Sequence, residues 1–272
     1  MKTHRIKGGG DVELHVVETG NPRGRPIVFL HGASQCGLQW NRQLDSSLTQ
    51  HHRLVAVDLR GHGRSDKPRD AYGDSKQWAD DVDAVIRSLA LDHPVLSGWS
   101  YGPLLCLDYV RHYGEDAIAG LHFVGALTEL GTDSAMSLLA PGFLEVFPRL
   151  LATDTDTSVD GVRELLRLCF ANQPNDSDFF LMLGYNVSVP PFVRQGLFSR
   201  SSSNADLLPK IRKPVLITHG EQDAVVKPIA ADQHKRAIPH AEVHVMKNAG
   251  HAAFWDDAPG FNERLHAFCE RL

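Results

Sequence analysis

Hydrophobic and polar positions change rhythm along the chain in a regular order. Val12-Glu13-Leu14-His15-Val16 alternates apolar with polar, and with residues 4–7 ahead of the turn Gly8-Gly9-Gly10-Asp11 it predicts a hairpin over 4–7 and 12–18. Pro26-Ile27-Val28-Phe29-Leu30 and Leu54-Val55-Ala56-Val57-Asp58 are nearly unbroken apolar runs, the pattern of strands buried on both faces, with helical character over 37–49 between them. Residues 75–91 place apolar groups at 78, 82, 85, 86 and 89, which is helical spacing, opened by Asp74 or Ser75 as cap. A strand at 94–98, a helix at 103–113 and a strand at 121–127 follow. Strands alternating with helices predict an α/β fold: a mostly parallel central sheet with helices on both faces.

The alternation stops between 128 and 206. That stretch shows helical segments at about 134–151, 158–171, 177–186 and 191–199, broken by Pro and by Asp, Asn and Ser clusters, and no credible strand. The βα rhythm resumes with a strand at 214–218, a helix at 228–237, a strand at 241–246 and a closing amphipathic helix at 258–271. The expected organisation is therefore a core domain of residues 1–127 and 207–272, with an all-helical cap at 128–206 inserted into it.

Composition narrows the class. The chain has 272 residues, 42% hydrophobic and 22% charged, which suits one large globular domain with an insertion. A net charge of −5 offers no long-range attraction to nucleic acid or to an anionic membrane, and no apolar run reaches signal-peptide or membrane-spanning length. A cytoplasmic protein acting on a small molecule is expected, without nucleic-acid or membrane partners; a homo-oligomer is left open. Cys36, Cys106, Cys169 and Cys269 form no CxxC pair and read as buried or idle thiols. The sequons at Asn175 and Asn186 read as chance matches.

Candidate chemistry centres on Gly98-Trp99-Ser100-Tyr101-Gly102, a G-x-S-x-G run between a buried strand and a helix, the context of a nucleophile elbow. A serine hydroxyl needs a base to become nucleophilic, and the base needs an orienting acid. In a sheet of this kind both belong at the C-terminal ends of strands. Asp223 follows the strand at 214–218 and His251 follows the strand at 241–246, so Ser100, Asp223 and His251 are the expected catalytic set. Glu129, after the strand at 121–127, is the rival acid. The oxyanion donors are expected to be the backbone amides of Ala33 and Tyr101. His31 reads as a structural holder of the loop His31-Gly32-Ala33-Ser34. Most of the 15 histidines, His51, His52, His112, His234 and His240 among them, read as solvated or structural. No metal site is expected, since Pro239 and a change of element separate His234, His240 and His244.

Phe29-Leu30-His31-Gly32, Asp58-Leu59-Arg60-Gly61-His62-Gly63-Arg64-Ser65-Asp66, Gly98-Trp99-Ser100-Tyr101-Gly102, Gly220-Glu221-Gln222-Asp223 and Gly250-His251 together resemble the α/β-hydrolase superfamily. The nearest branch is that of small esterases, enol-lactonases and cofactor-free haloperoxidases. The resemblance spans nearly the whole chain except 128–206, where such proteins carry a cap. It implies that 58–66 is a structural loop, with His62 and Asp66 as scaffold. Pro103 and Tyr101 depart from the family habit of a second Gly after the elbow and a Met or Leu beside the nucleophile. Ser100 speaks against epoxide hydrolase and haloalkane dehalogenase chemistry, which needs a carboxylate nucleophile.

The implied activity is hydrolysis of an ester, lactone or similar acyl bond of a small, largely apolar substrate through an acyl-enzyme on Ser100, with no metal or organic cofactor. The alternatives are perhydrolase or haloperoxidase activity, carbon–carbon bond hydrolysis, and a non-catalytic ligand receptor on the same fold. Trp99, Phe143, Phe147 and Phe254 are the expected substrate contacts. Phe170, Phe179, Phe180, Phe192 and Phe198 are further candidates, although aromatics at helical spacing are more often core.

Overall fold

The computed structural model describes residues 1–272. Its centre is an eight-stranded sheet of β1 (Lys2–Lys7), β2 (Glu13–Gly20), β3 (Pro26–Leu30), β4 (Arg53–Asp58), β5 (Val95–Trp99), β6 (Gly120–Val124), β7 (Val215–Gly220) and β8 (Glu242–Met246), in the order β1-β2-β4-β3-β5-β6-β7-β8. β1 pairs antiparallel with β2, and β2 antiparallel with β4; every later pairing is parallel. Every residue of β3, β5, β6 and β7 is buried, so the continuous apolar runs reflect burial of both sheet faces.

The helices in chain order are α1 (Asn41–Leu44), α2 (Leu48–His51), α3 (Ser75–Ser88), α4 (Gly102–Tyr113), α5 (Asp133–Leu138), α6 (Pro141–Leu150), α7 (Thr155–Cys169), α8 (Asp176–Val187), α9 (Pro191–Ser199), α10 (Ile229–Ala237), α11 (Ala253–Asp256) and α12 (Ala258–Cys269). α3 starts where Asp74 accepts the Lys76 amide, and it buries Trp78, Val82, Val85 and Ile86, with Leu89 buried at its C-cap, the residues whose spacing predicts it. Two apolar clusters of 39 and 36 buried residues flank the sheet. No helix is long and apolar enough to cross a membrane.

Some expected boundaries move for local reasons. The helical character at 37–49 resolves into a 3₁₀ turn at Gly37–Trp40 and the short α1 and α2, interrupted at Asp45-Ser46-Ser47. β6 ends at Val124 rather than 127, because Gly125 takes φ +49° and turns the chain. The single helix expected at 134–151 is two, α5 and α6: Leu139 and Ala140 are extended ahead of Pro141, as a residue before proline prefers. Between β6 and β7 the chain holds α5 to α9 and no strand of the sheet, only isolated bridges from Leu130 to Ser202 and from Leu139 to Val226.

Candidate active site

The turn after β5 is shaped by what its glycines exclude. Ser100 sits at φ +57°, a left-handed conformation that costs a non-glycine residue and persists only when its surroundings enforce it. They do: the Ser100 amide donates to the Val124 carbonyl at 2.9 Å and the Ser100 carbonyl accepts from Leu127 at 3.0 Å. A Cβ on Gly98 would lie 2.5 Å from Gly102 C, and one on Gly102 would lie 2.4 Å from the Leu30 carbonyl oxygen, so strand, turn and helix meet this closely only with glycine at both places. Pro103 fits the first turn of α4, where a missing N–H costs nothing. The side chain of Ser100 is thereby presented at the C-terminal end of the sheet.

His251 and Asp223 meet behind that turn. His251 Nδ1 lies 2.8 Å from Asp223 Oδ2, with both side chains almost fully buried. Asp223 Oδ1 accepts the Val225 and Val226 amides at 2.8 and 2.9 Å. Burial works to raise the Asp223 pKa, but His251 and His219 outweigh it and hold the carboxyl well below its usual range, so it is ionised at neutral pH. A carboxylate there fixes the proton of His251 on Nδ1 and leaves Nε2 as the acceptor. The His251 loop is itself pinned: Trp99 Nε1 donates to the His251 carbonyl at 2.9 Å, and Asp256 accepts the amides of Gly250, Ala171 and Asn172. Glu129, the rival acid, instead accepts from Thr132 and Ser203 and makes no contact with His251.

Two participants escape sequence reasoning. His219 Nε2 lies 3.0 Å from Asp223 Oδ2 and 3.0 Å from the Val226 carbonyl oxygen, so Asp223 faces two imidazoles on one oxygen and two amides on the other. Burial opposes the imidazolium form of His219, while Asp223 and the Val226 carbonyl favour it and raise its pKa above the ordinary value. Gly125 is the other: a Cβ there would stand 3.0 Å from His251 Nδ1, so a larger residue would press on the imidazole. The order His219-Gly220 signals only a strand end, and Gly125 only a break.

One pocket gathers the front of the site. Ser100, His251, Gly32, Ala33, Ser34, Gln35, Trp99 and Tyr101 line it from the sheet side. Leu139, Phe143, Leu150, Leu165, Cys169 and Phe198 line it from the segment between β6 and β7. The open volume is about 30 Å³, room for roughly one water. No hydrogen bond joins Ser100 Oγ to His251 in this geometry, though both front the same space. The backbone N–H groups of Ala33 and Tyr101 have no protein acceptor and belong to the pocket wall, the disposition an oxyanion would use. Cys169 reaches the pocket, but burial raises its thiol pKa far above neutrality and keeps it protonated.

The aromatic residues divide. Trp99 and Phe143 line the pocket. Phe147 does not; it stands behind the wall, with its ring 5.6 Å from Phe143 and 4.9 Å from Phe198. Phe254 is removed from the pocket altogether, fully buried against Trp40, Trp99 and Phe261 because α11 turns it into the core. Phe198 joins the wall instead.

The neighbouring loops are scaffold. His31 Nδ1 bonds the Gly32 carbonyl at 2.8 Å and its Nε2 accepts the Leu59 amide at 3.0 Å, while His62 bonds the Arg60 carbonyl and accepts the Ser34 amide. Burial lowers their pKa to about 4 and about 3. Both are neutral struts that shape the Ala33 loop.

Comparison with known proteins agrees with this architecture. The family model described as alpha/beta hydrolase fold matches residues 25–258. The chain is 30% identical to the AB hydrolase superfamily protein YisY of Bacillus subtilis, across 97% of this chain and 98% of that protein. It is 25% identical to a 2-hydroxy-6-oxo-2,4-heptadienoate hydrolase of Pseudomonas putida, across 97% and 94% of the two chains. Among solved structures it resembles the esterase RhEst1 of Rhodococcus sp. ECU1013, with TM-score 0.94, 31% identity and 99% of each chain covered. The sheet order, the strained serine turn and these matches converge, and the chain belongs to the α/β-hydrolase fold family, as a hydrolase of its esterase and haloperoxidase branch.

Proposed function

We propose that the protein is a serine hydrolase that cleaves the ester, lactone or related acyl bond of a small, largely apolar substrate through an acyl-enzyme on Ser100. The observation that carries this reading is the pairing of a serine held at φ +57° with a buried His251–Asp223 contact of 2.8 Å at one pocket. Ser100 Oγ attacks the acyl carbon while His251 Nε2 takes its proton, and Asp223 balances the imidazolium. The oxyanion is held by the Ala33 and Tyr101 amides. His251 then protonates the leaving alkoxide, and with His251 as base once more, water releases the acid. The scheme uses no metal or organic cofactor.

Substrate class follows from the wall. Of 16 lining residues 11 are hydrophobic, and none is Lys or Arg, so a neutral acyl group suits the pocket better than one bearing a carboxylate. That disfavours the dienoate chemistry named for the Pseudomonas putida relative. Residues 128–206 act in this reading as a cap over Ser100, which must shift to admit an acyl chain into so small a cavity. Ser100→Ala should keep the fold and lose roughly 10⁶-fold in turnover of a chromogenic short-chain ester. Near-normal turnover by that variant would exclude the acyl-enzyme.

A further inference from the structure

At the end of the sheet opposite Ser100, a second group of side chains converges. His52 closes α2 and immediately precedes β4, while His266 and Glu270 lie four residues apart at the last turn of α12, on one side of the helix. His52 Nε2 and His266 Nδ1 are 2.9 Å apart, although 214 residues separate them in sequence. With a carboxylate oxygen of Glu270, all three atoms lie within 4.8 Å of one another, away from the Ser100 site.

The two facing ring nitrogens admit at most one proton between them, so at least one lone pair already points into the centre. His52 is buried and therefore held in place, His266 is half-buried, and Glu270 is exposed, its amide donating to the His266 carbonyl at 3.0 Å while its carboxylate makes neither a hydrogen bond nor an ion pair. The Nδ1 of His52 lacks a hydrogen-bond partner of good geometry, with the backbone of Arg25 close enough to influence it. A cation in place of the shared proton would move that ring's proton to Nδ1, toward that backbone, and the His266 proton to Nε2, toward solvent. An adjoining groove of about 490 Å³, lined among others by Ser46, His51, Asn262 and His266, supplies an entry path. The His51 ring lies tilted against His266, with ring centroids 4.6 Å apart.

We propose that His52 Nε2, His266 Nδ1 and the Glu270 carboxylate bind a divalent first-row transition cation, with zinc the best match, that clamps the end of α2 to the last turn of α12. Two imidazoles and one carboxylate are a familiar zinc donor set, with ligand distances of about 2.0–2.2 Å and the fourth position left to water. Closing from the observed separations needs only a rotamer change at the unpartnered Glu270 and a slight opening of the histidine pair. Hard cations are a poor match, because two of the three donors are nitrogen. The clamp is remote from Ser100 and independent of the hydrolytic reading.

The test is calorimetric titration of the chelator-stripped full chain with zinc chloride, with Tm followed alongside. One zinc per chain and a raised Tm are expected, with no Tm increase from calcium. Glu270→Gln removes no existing contact and should weaken zinc binding about tenfold or more, as should His266→Gln. Zinc should also protect the half-buried His266 of the wild type from diethyl pyrocarbonate, read by peptide mass, which does not depend on any variant folding. Absence of zinc binding below about 1 mM would overturn the assignment. So would binding that survives both substitutions, or calcium stabilising as well as zinc.

Discussion

Replacing Asp223 with asparagine probes the site where its geometry is most constraining. Oδ1 of Asp223 accepts two backbone amides, from Val225 and Val226. Those donors have no alternative, so the asparagine carbonyl must take the Oδ1 position. Its NH2 then occupies the Oδ2 position, facing His251 Nδ1 and His219 Nε2. His219 retains the Val226 carbonyl as acceptor. His251 has no such recourse: it must turn its Nδ1 into an acceptor, which places its proton on Nε2, the atom that has to take the proton of Ser100. The imidazolium formed during attack also loses its counter-charge. Loss of tautomer and charge together should lower kcat by about 10⁴-fold, or roughly 5 kcal/mol of transition-state stabilisation. The assay is turnover of a chromogenic ester by protein whose circular dichroism matches wild type, with Glu129→Gln measured in parallel and expected to change little. Activity of Asp223→Asn within about tenfold of wild type, with Glu129→Gln crippled, would refute the assignment of the acid.

Other consequences follow from the same packing. Phe143→Ala should open the pocket wall and shift preference toward longer acyl chains, measured as ratios of kcat/KM across an ester series; equal loss on every chain length would make Phe143 merely core. Phe254→Ala should instead cost about 3–5 kcal/mol in denaturant unfolding and leave chain-length ratios unchanged; a changed ratio would return Phe254 to the substrate. Burial lowers the pKa of His31 and His234 to about 4, and of His62 and His122 to about 3. Their stabilisation is full above the unfolded histidine value near 6.5 and is lost as pH falls toward 4 and 3. At pH 5 each should have given up about 2 kcal/mol, so Tm should drop steeply between pH 7 and pH 5; an unchanged Tm would contradict their neutral burial.

The parts of the fold legible in the sequence are those whose burial leaves a pattern. β3, β5 and β7 are buried on both faces and therefore read as apolar runs, and α3 shows its buried side at 78, 82, 85, 86 and 89. Asp223 and His251 were legible as candidates because each follows a strand that could be read. What stayed hidden depends on contacts far apart in the chain or on details of backbone. Phe254 and Phe143 are equally apolar, and only the direction of α11 sends one to the core. His219 becomes a partner of Asp223 only once the loop after β7 folds back over four residues. The end of β6 at Val124 rests on the positive φ of Gly125.

The central claim is that Ser100 becomes covalently acylated, and its most direct test is the mass of the protein after reaction with a serine-directed phosphonate. Wild type should gain one adduct, mapped by peptide fragmentation to the segment containing Ser100, with activity lost in proportion; Ser100→Ala should gain none. An adduct on any other serine, or full activity after stoichiometric labelling of Ser100, would contradict the account.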